Sequence, residues 1–121
     1  MRISTALLGA ASAIALALPA LARDDVPCFL TRDMRNHTVG DDHTLYFDVG
    51  GRAVYRAVMS NNCLAGATSS DPIILRDVTG SGRICNKLDL DVGLRGNRCI
   101  VESLSKLTPA EAAALPKHVK P

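Results

Sequence analysis

The chain has 121 residues with 14 Lys and Arg, 12 Asp and Glu and a formal charge of +2, so it carries no broad basic field for a nucleic acid or an anionic membrane. Trp is absent, and Phe29, Tyr46, Phe47 and Tyr55 are the four aromatic residues, too few for a base-stacking platform. The hydrophobic fraction of 47% is raised by one segment at the start of the chain.

Residues 1–22 read as a cleavable secretory signal peptide. Arg2 precedes an apolar run from Ile3 to Leu18, and Pro19 leads into Ala20-Leu21-Ala22, an A-x-A cleavage pattern. A membrane span needs about 20 apolar residues, and here Pro19 and the acidic pair Asp24-Asp25 interrupt it. Arg23 occupies the place where a lipoprotein would carry its cysteine. The expectation is a periplasmic or secreted protein that does not span the membrane after cleavage. The 14 basic residues then lose only Arg2, the 12 acids all remain, and the formal charge falls from +2 to +1. Residues 23–116 are read as one β-rich domain and residues 117–121 as a flexible basic tail.

All four cysteines, Cys28, Cys63, Cys85 and Cys99, follow the cleavage site, and an even count in a small exported domain points to disulfides. Four cysteines allow three connectivities; the preferred one nests Cys63–Cys85 inside Cys28–Cys99. No C-x-x-C occurs, and spacings of 35, 22 and 14 match no zinc pattern.

In chain order, Cys28 to Met34 offers an ambiguous first strand. Thr44–Val49 and Arg52–Met59 are β-prone runs around Gly50-Gly51, read as a two-residue type I′ hairpin. That register sets Phe47 against Val54 and Tyr46 against Tyr55, leaving apolar groups on both faces and favouring a curved or closed sheet. Pro72–Val78 and Arg83–Cys85 form a second hairpin candidate around Thr79-Gly80-Ser81-Gly82. Leu88–Val92 alternates, Gly93 to Asn97 turn the chain, and Arg98–Leu104 reads as one more strand. The fold class is therefore all-β, mainly antiparallel with about six strands, a small disulfide-stapled barrel or sandwich. Thr108-Pro109-Ala110-Glu111 is a capping box with proline at the first helical position, predicting one short C-terminal helix that Leu107 or Leu115 docks.

These landmarks in combination resemble a family of small exported four-cysteine proteobacterial proteins known as a domain of unknown function. The resemblance rests on Cys28-Phe29, Asp41-Asp42-x-Thr44-Leu45-Tyr46, Gly51-Arg52-x-x-Tyr55-Arg56, Cys63-Leu64, Ile84-Cys85-x-x-x-Asp89, Cys99 and Leu107-Thr108-Pro109-x-Glu111-Ala112-Ala113-Ala114-Leu115. It covers most of the chain after the cleavage site. It implies export, disulfides and a single domain, and no activity, cofactor or catalytic residue.

His37, Asp41, Asp42 and His43 put two imidazoles and two carboxylates within seven residues, a donor set for zinc or copper if the loop folds back. Asp89 and Asp91, expected on one strand face about 7 Å apart and joined by Glu102, are candidates for acid–base work. An alternating solvent face explains the pair as well. There is no G-x-S-x-G, and Gly80-Ser81-Gly82 links two strand-like runs with no helix start to bind phosphate. Arg52, Arg56, Arg76, Arg83, Arg95 and Arg98 would form an anion-binding surface only if they share a face. No cofactor and no catalytic residue is indicated. The first functional expectation is a non-catalytic binding domain of the cell envelope, meeting another protein or an envelope component. The alternative is a metal-binding protein using His37, Asp41, Asp42 and His43, and the third a hydrolase using Asp89, Asp91 or Glu102.

Overall fold

The computed structural model describes residues 27–121; the signal peptide read over residues 1–22, and residues 23–26, lie outside the described residues. The strands are β1 (Phe29–Leu30), β2 (Met34–Val39), β3 (Thr44–Val49), β4 (Ala53–Met59), β5 (Ile73–Asp77), β6 (Arg83–Ile84), β7 (Leu90–Leu94), β8 (Asn97–Cys99) and β9 (Val101–Lys106), followed by helix α1 (Pro109–Ala114). They pair antiparallel in a four-stranded sheet β2-β3-β4-β9, a three-stranded sheet β5-β7-β8 and a two-stranded ladder β1-β6. The sheets stay open and do not close into a barrel.

The β3–β4 hairpin sets the core. Gly50 and Gly51 both take positive φ, 66° and 71°, and the Arg52 amide donates to the Val49 carbonyl at 3.2 Å. The ladder nevertheless closes on Val49 opposite Ala53, which makes Arg52 a third loop residue. The expected two-residue register is thus corrected by one position, and a one-residue slip turns every side chain of a strand to the other face. Phe47 now stands opposite Tyr55 and Leu45 opposite Ala57, so Leu45, Phe47, Val49, Tyr55, Ala57 and Met59 share one buried face. Tyr46 and Arg56 pair on the other. A hairpin with one apolar face needs a facing layer, not a closed barrel. That layer is the three-stranded sheet, whose Leu90, Val92, Leu94 and Cys99 join the same hydrophobic cluster.

The type I′ geometry does occur, one hairpin later: Arg95 and Gly96, at φ 51° and 80°, link Leu94 to its partner Asn97. Two other expected strands are corrected by their pairing. The segment 83–84 pairs with β1 and not with β5, so residues 72–85 are not a hairpin. The run 98–104 divides at Ile100, because β8 belongs to the three-stranded sheet and β9 to the four-stranded one. Asn61 fixes that corner: its Oδ1 accepts from the Ile100 amide at 3.0 Å and its Nδ2 donates to the Arg98 carbonyl at 3.2 Å.

The same pairings correct the disulfides. Cys28 is bonded to Cys85 and Cys63 to Cys99, a crossed connectivity in place of the nested one. The β1–β6 register, Leu30 with Arg83 and Phe29 with Ile84, brings Cys28 opposite Cys85 at the next step, with Cα atoms 4.2 Å apart. Asn61, by clasping the strand around Ile100, carries the following Cys63 to Cys99.

At the C-terminal end the capping box forms as expected: the Thr108 hydroxyl accepts from the Glu111 amide at 3.2 Å, and the Glu111 carboxylate accepts from the Thr108 amide at 2.7 Å. Leu107 is buried against the outer side of the four-stranded sheet, its amide donating to the Val54 carbonyl. The residues read as a flexible tail dock there too. Lys117–Val119 form a 3-10 turn, Val119 is 6% exposed, and the buried Thr38 hydroxyl donates to the Val119 carbonyl. The apolar side chain of Val119, hidden in a run that is otherwise basic, holds this end down.

Non-reducing peptide mapping of the oxidised protein is expected to recover Cys28–Cys85 and Cys63–Cys99. Loops spanning separations of 57 and 36 residues correspond to up to about 4 kcal/mol each in the chain-entropy model, measurable by urea unfolding of paired Cys→Ala variants. Thr108→Ala is expected to cost about 1 kcal/mol. The Thr108 amide holds the Glu111 carboxyl below its ordinary value. A depressed carboxyl stabilises above its unfolded pKa and loses that contribution as pH falls through the folded one. The stability gap between wild type and Glu111→Gln should therefore close on acidification over that range.

Candidate functional site

Strand alternation in the three-stranded sheet divides its residues sharply. Leu75, Val92 and Cys99 form one inward row, while Ile74, Gly93 and Arg98 form the corresponding outward row, each opposite the next across the strands. Arg76 stands opposite Asp91 in the adjacent outward row. The Asp91 carboxylate lies between two guanidiniums: Oδ1 accepts from Arg98 Nε at 3.1 Å, and Oδ2 is 3.7 Å from an Arg76 η nitrogen. Both arginine side chains are mostly exposed, 66% and 76%.

Two hollows meet at Asp91 and Arg98. The first, about 160 Å³, is floored by Gly93 and walled by Ile74, Arg76, Asn97 and Arg98. The second, about 440 Å³, is lined by Val78, Leu88 and Ile100 beside Asp91 and Arg98. Ile74, Val78, Leu88 and Ile100, at 50%, 56%, 77% and 58% exposure, are the exposed large hydrophobic residues among those described. All four therefore line this one face. Clustered exposed apolar groups mark interaction surfaces where scattered ones do not.

Each of these apolar residues is held by backbone geometry. Leu88 sits in the 3-10 turn Lys87–Asp89, where the Asn86 carboxamide oxygen accepts from the Leu88 amide at 2.8 Å. Asp89 Oδ2 accepts from the Cys85 and Asn86 amides at 2.8 and 3.2 Å, tying the turn to the Cys28–Cys85 bridge. Val78 donates its amide to the Asp89 carbonyl at 2.8 Å. Beyond it, Asp77 gathers the Thr79 and Gly82 amides, and the Thr79 hydroxyl foremost holds its carboxyl below the ordinary range. Ile100 is pinned by Asn61.

The outer side of the four-stranded sheet is different. Tyr46 and Arg56 there lie under α1, with Leu107, Glu111, Ala114 and Leu115 around a hollow of about 250 Å³. The chain thus covers one outer face with its own C-terminal end, and among the described residues no element covers the other.

The residues singled out from the sequence are separated by the fold. His37 lies on β2, its Nε2 3.0 Å from the Asp71 carbonyl, while His43 Nδ1 lies 3.2 and 3.1 Å from the Met59 and Asn61 carbonyls. Carbonyls only accept, so both ring nitrogens donate. Asp41 accepts from the His43 amide at 2.8 Å, the main reason its carboxyl sits below the ordinary range, and Asp42 is exposed in the same bend. Among the described residues no three His, Cys, Asp or Glu side chains gather as a ligand set. The expected carboxylate pair is corrected: Asp89 belongs to the turn before β7, Asp91 to the strand, and Glu102 is the residue skipped in the β4–β9 register, on the other sheet. Of the arginines, Arg76 and Arg98 come together, and Arg95 pairs with Asp71 at 2.8 Å.

Sequence reasoning missed Ile74, Leu88, Gly93 and Ile100. Gly93 reads locally as the start of a turn and Ile100 as a strand interior; only the strand pairing shows that one floors a hollow and the other caps a corner. No family model matches the chain, and neither a curated protein nor a solved structure is significantly similar to it.

Asp89→Ala is expected to lose about 1–2 kcal/mol by leaving two backbone donors without their acceptor. Asp91→Ala, which removes only exposed ion pairs, should stay within about 0.5 kcal/mol. Equal losses in urea unfolding would contradict this division between a structural and a surface carboxylate.

Proposed function

We propose that this protein is an exported, non-catalytic interaction domain that binds another protein of the cell envelope or its surroundings through the outer face of the three-stranded sheet. The observation that carries the reading is the collection of Ile74, Val78, Leu88 and Ile100 around Arg76, Asp91 and Arg98 on the face that no described element covers. An apolar patch with a small charged centre supplies both the desolvation and the orientation that a protein contact needs. Two intramolecular disulfides fit an oxidising compartment, and they stiffen the corners that present Leu88 and Ile100. A platform already ordered loses little entropy on association. The resemblance to exported four-cysteine domains agrees with this placement.

A photo-cross-linking residue placed at Leu88 or Ile100 in the exporting cell is expected to give discrete higher-mass adducts. The same residue at the exposed Ala113 of α1 should not. Adducts equal at all three positions, or none at Leu88 and Ile100, would remove the reading.

A further inference from the structure

Resting on that reading, we infer that the occupant of this face is an extended, acidic segment of a partner protein, with the side-chain pattern apolar-x-acidic-x-apolar. Gly93 is the first reason. Six of the other described glycines have positive φ, and a Cβ at Gly40 would meet Tyr46 at 2.7 Å. Gly93 has neither constraint: it lies within β7 without a positive φ, and a Cβ there would stand 3.6 Å from the Asn97 carbonyl oxygen and 3.9 Å from Ile74 Cβ. Mid-strand glycine costs roughly 0.5–1 kcal/mol relative to alanine. What it provides here is the open floor of the 160 Å³ hollow, room for one apolar side chain.

Charge is the second reason. Among the described residues Arg76 and Arg98 share a single carboxylate, and Asp91 takes one close bond, from Arg98 Nε, while Arg76 stands off at 3.7 Å. The η nitrogens of Arg98 and the guanidinium of Arg76 retain donors in the fork geometry that fits an incoming carboxylate. The surplus is local, since the chain after the signal segment carries a formal +1, so it selects one acid and not a polyanionic surface.

Spacing joins the two. Gly93 and Asp91 lie two residues apart on β7, about 7 Å by strand geometry, and the hollow of Val78, Leu88 and Ile100 opens on the other side of Asp91. An extended segment laid along β7 repeats that interval at every second side chain. One apolar group enters the Gly93 hollow, the next same-side residue, an acid, meets Arg76 and Arg98, and the one after it packs on Leu88 and Ile100. The pattern reads the same in either chain direction.

The probe is a phage-displayed random 12-residue library panned on the oxidised protein, followed by amide-shift titration of the protein with a synthetic copy of an enriched peptide. Enriched peptides are expected to carry Asp or Glu with apolar residues two positions to each side, and to move the amides of Ile74, Gly93 and Arg98. Arg98→Gln should weaken such a peptide about tenfold, Arg76→Gln should weaken it too, and Gly93→Leu, which fills the hollow, should do the same while Gly93→Ala does less. Basic or patternless peptides, shifts confined to another face, or a Gly93→Leu variant that binds normally would overturn the inference. So would binding to phosphatidylglycerol vesicles that disappears in the Arg76→Gln, Arg98→Gln double variant while no acidic peptide is enriched. Adducts at Leu88 and Ile100 with no acidic peptide would sink this inference alone; absence of those adducts would sink the interaction reading beneath it.

Discussion

Phe29, Phe47 and Tyr55 meet in the interior with ring centroids 4.6 to 5.8 Å apart, and the contact between Phe47 and Tyr55 depends on a single unit of strand register. With Arg52 in the loop, the two rings lie on one face of the hairpin and stack at an interplanar angle of 11°. Phe29 then brings in β1, and with it β6 and the Cys28–Cys85 bridge. Such aromatic pairs contribute about 0.5–1.5 kcal/mol each beyond the area they bury. The Tyr55 hydroxyl donates to the Pro27 carbonyl at 3.1 Å, so burial, which raises its pKa, leaves no unpaired group.

The exposed face follows from that interior. Filling the space between the sheets with Leu75, Val92 and Cys99 requires their strand neighbours to point outward, and pairing then aligns Ile74, Gly93 and Arg98 in a row. The corner at Ile100 completes the surface. A strand that leaves one sheet for another cannot bury both of its faces throughout, and here the residue at the changeover is the exposed Ile100. The disulfides flank this geometry: one bridge ends at Cys85 just before the Leu88 turn, the other at Cys99 just before Ile100.

The acidic residues illustrate how position alone separates structural from surface roles. Asp77 and Asp89 are surrounded by backbone donors and organise turns, whereas Asp91, two residues after Asp89, faces guanidiniums in solvent. Identical side chains at a spacing that suggested a pair are thus put to different uses, because the 3-10 turn ends between them and the strand begins.

Local pattern determined local structure in this chain. The alternation of Leu45, Phe47 and Val49, the positive-φ glycines after it, and the Thr108–Glu111 capping box each act through neighbours within a few residues, so the strand, the turn and the helix were legible in the sequence. An even set of cysteines likewise announced two bridges. Which cysteines pair, whether the hairpin loop holds two residues or three, where the strand at Ile100 changes sheets and which arginines share a carboxylate were decided only by tertiary structure. Those outcomes rest on hydrogen bonds and packing between segments tens of residues apart, such as Asn61 with Ile100 and Phe29 with Ile84, whose registers compete on a scale no local window contains.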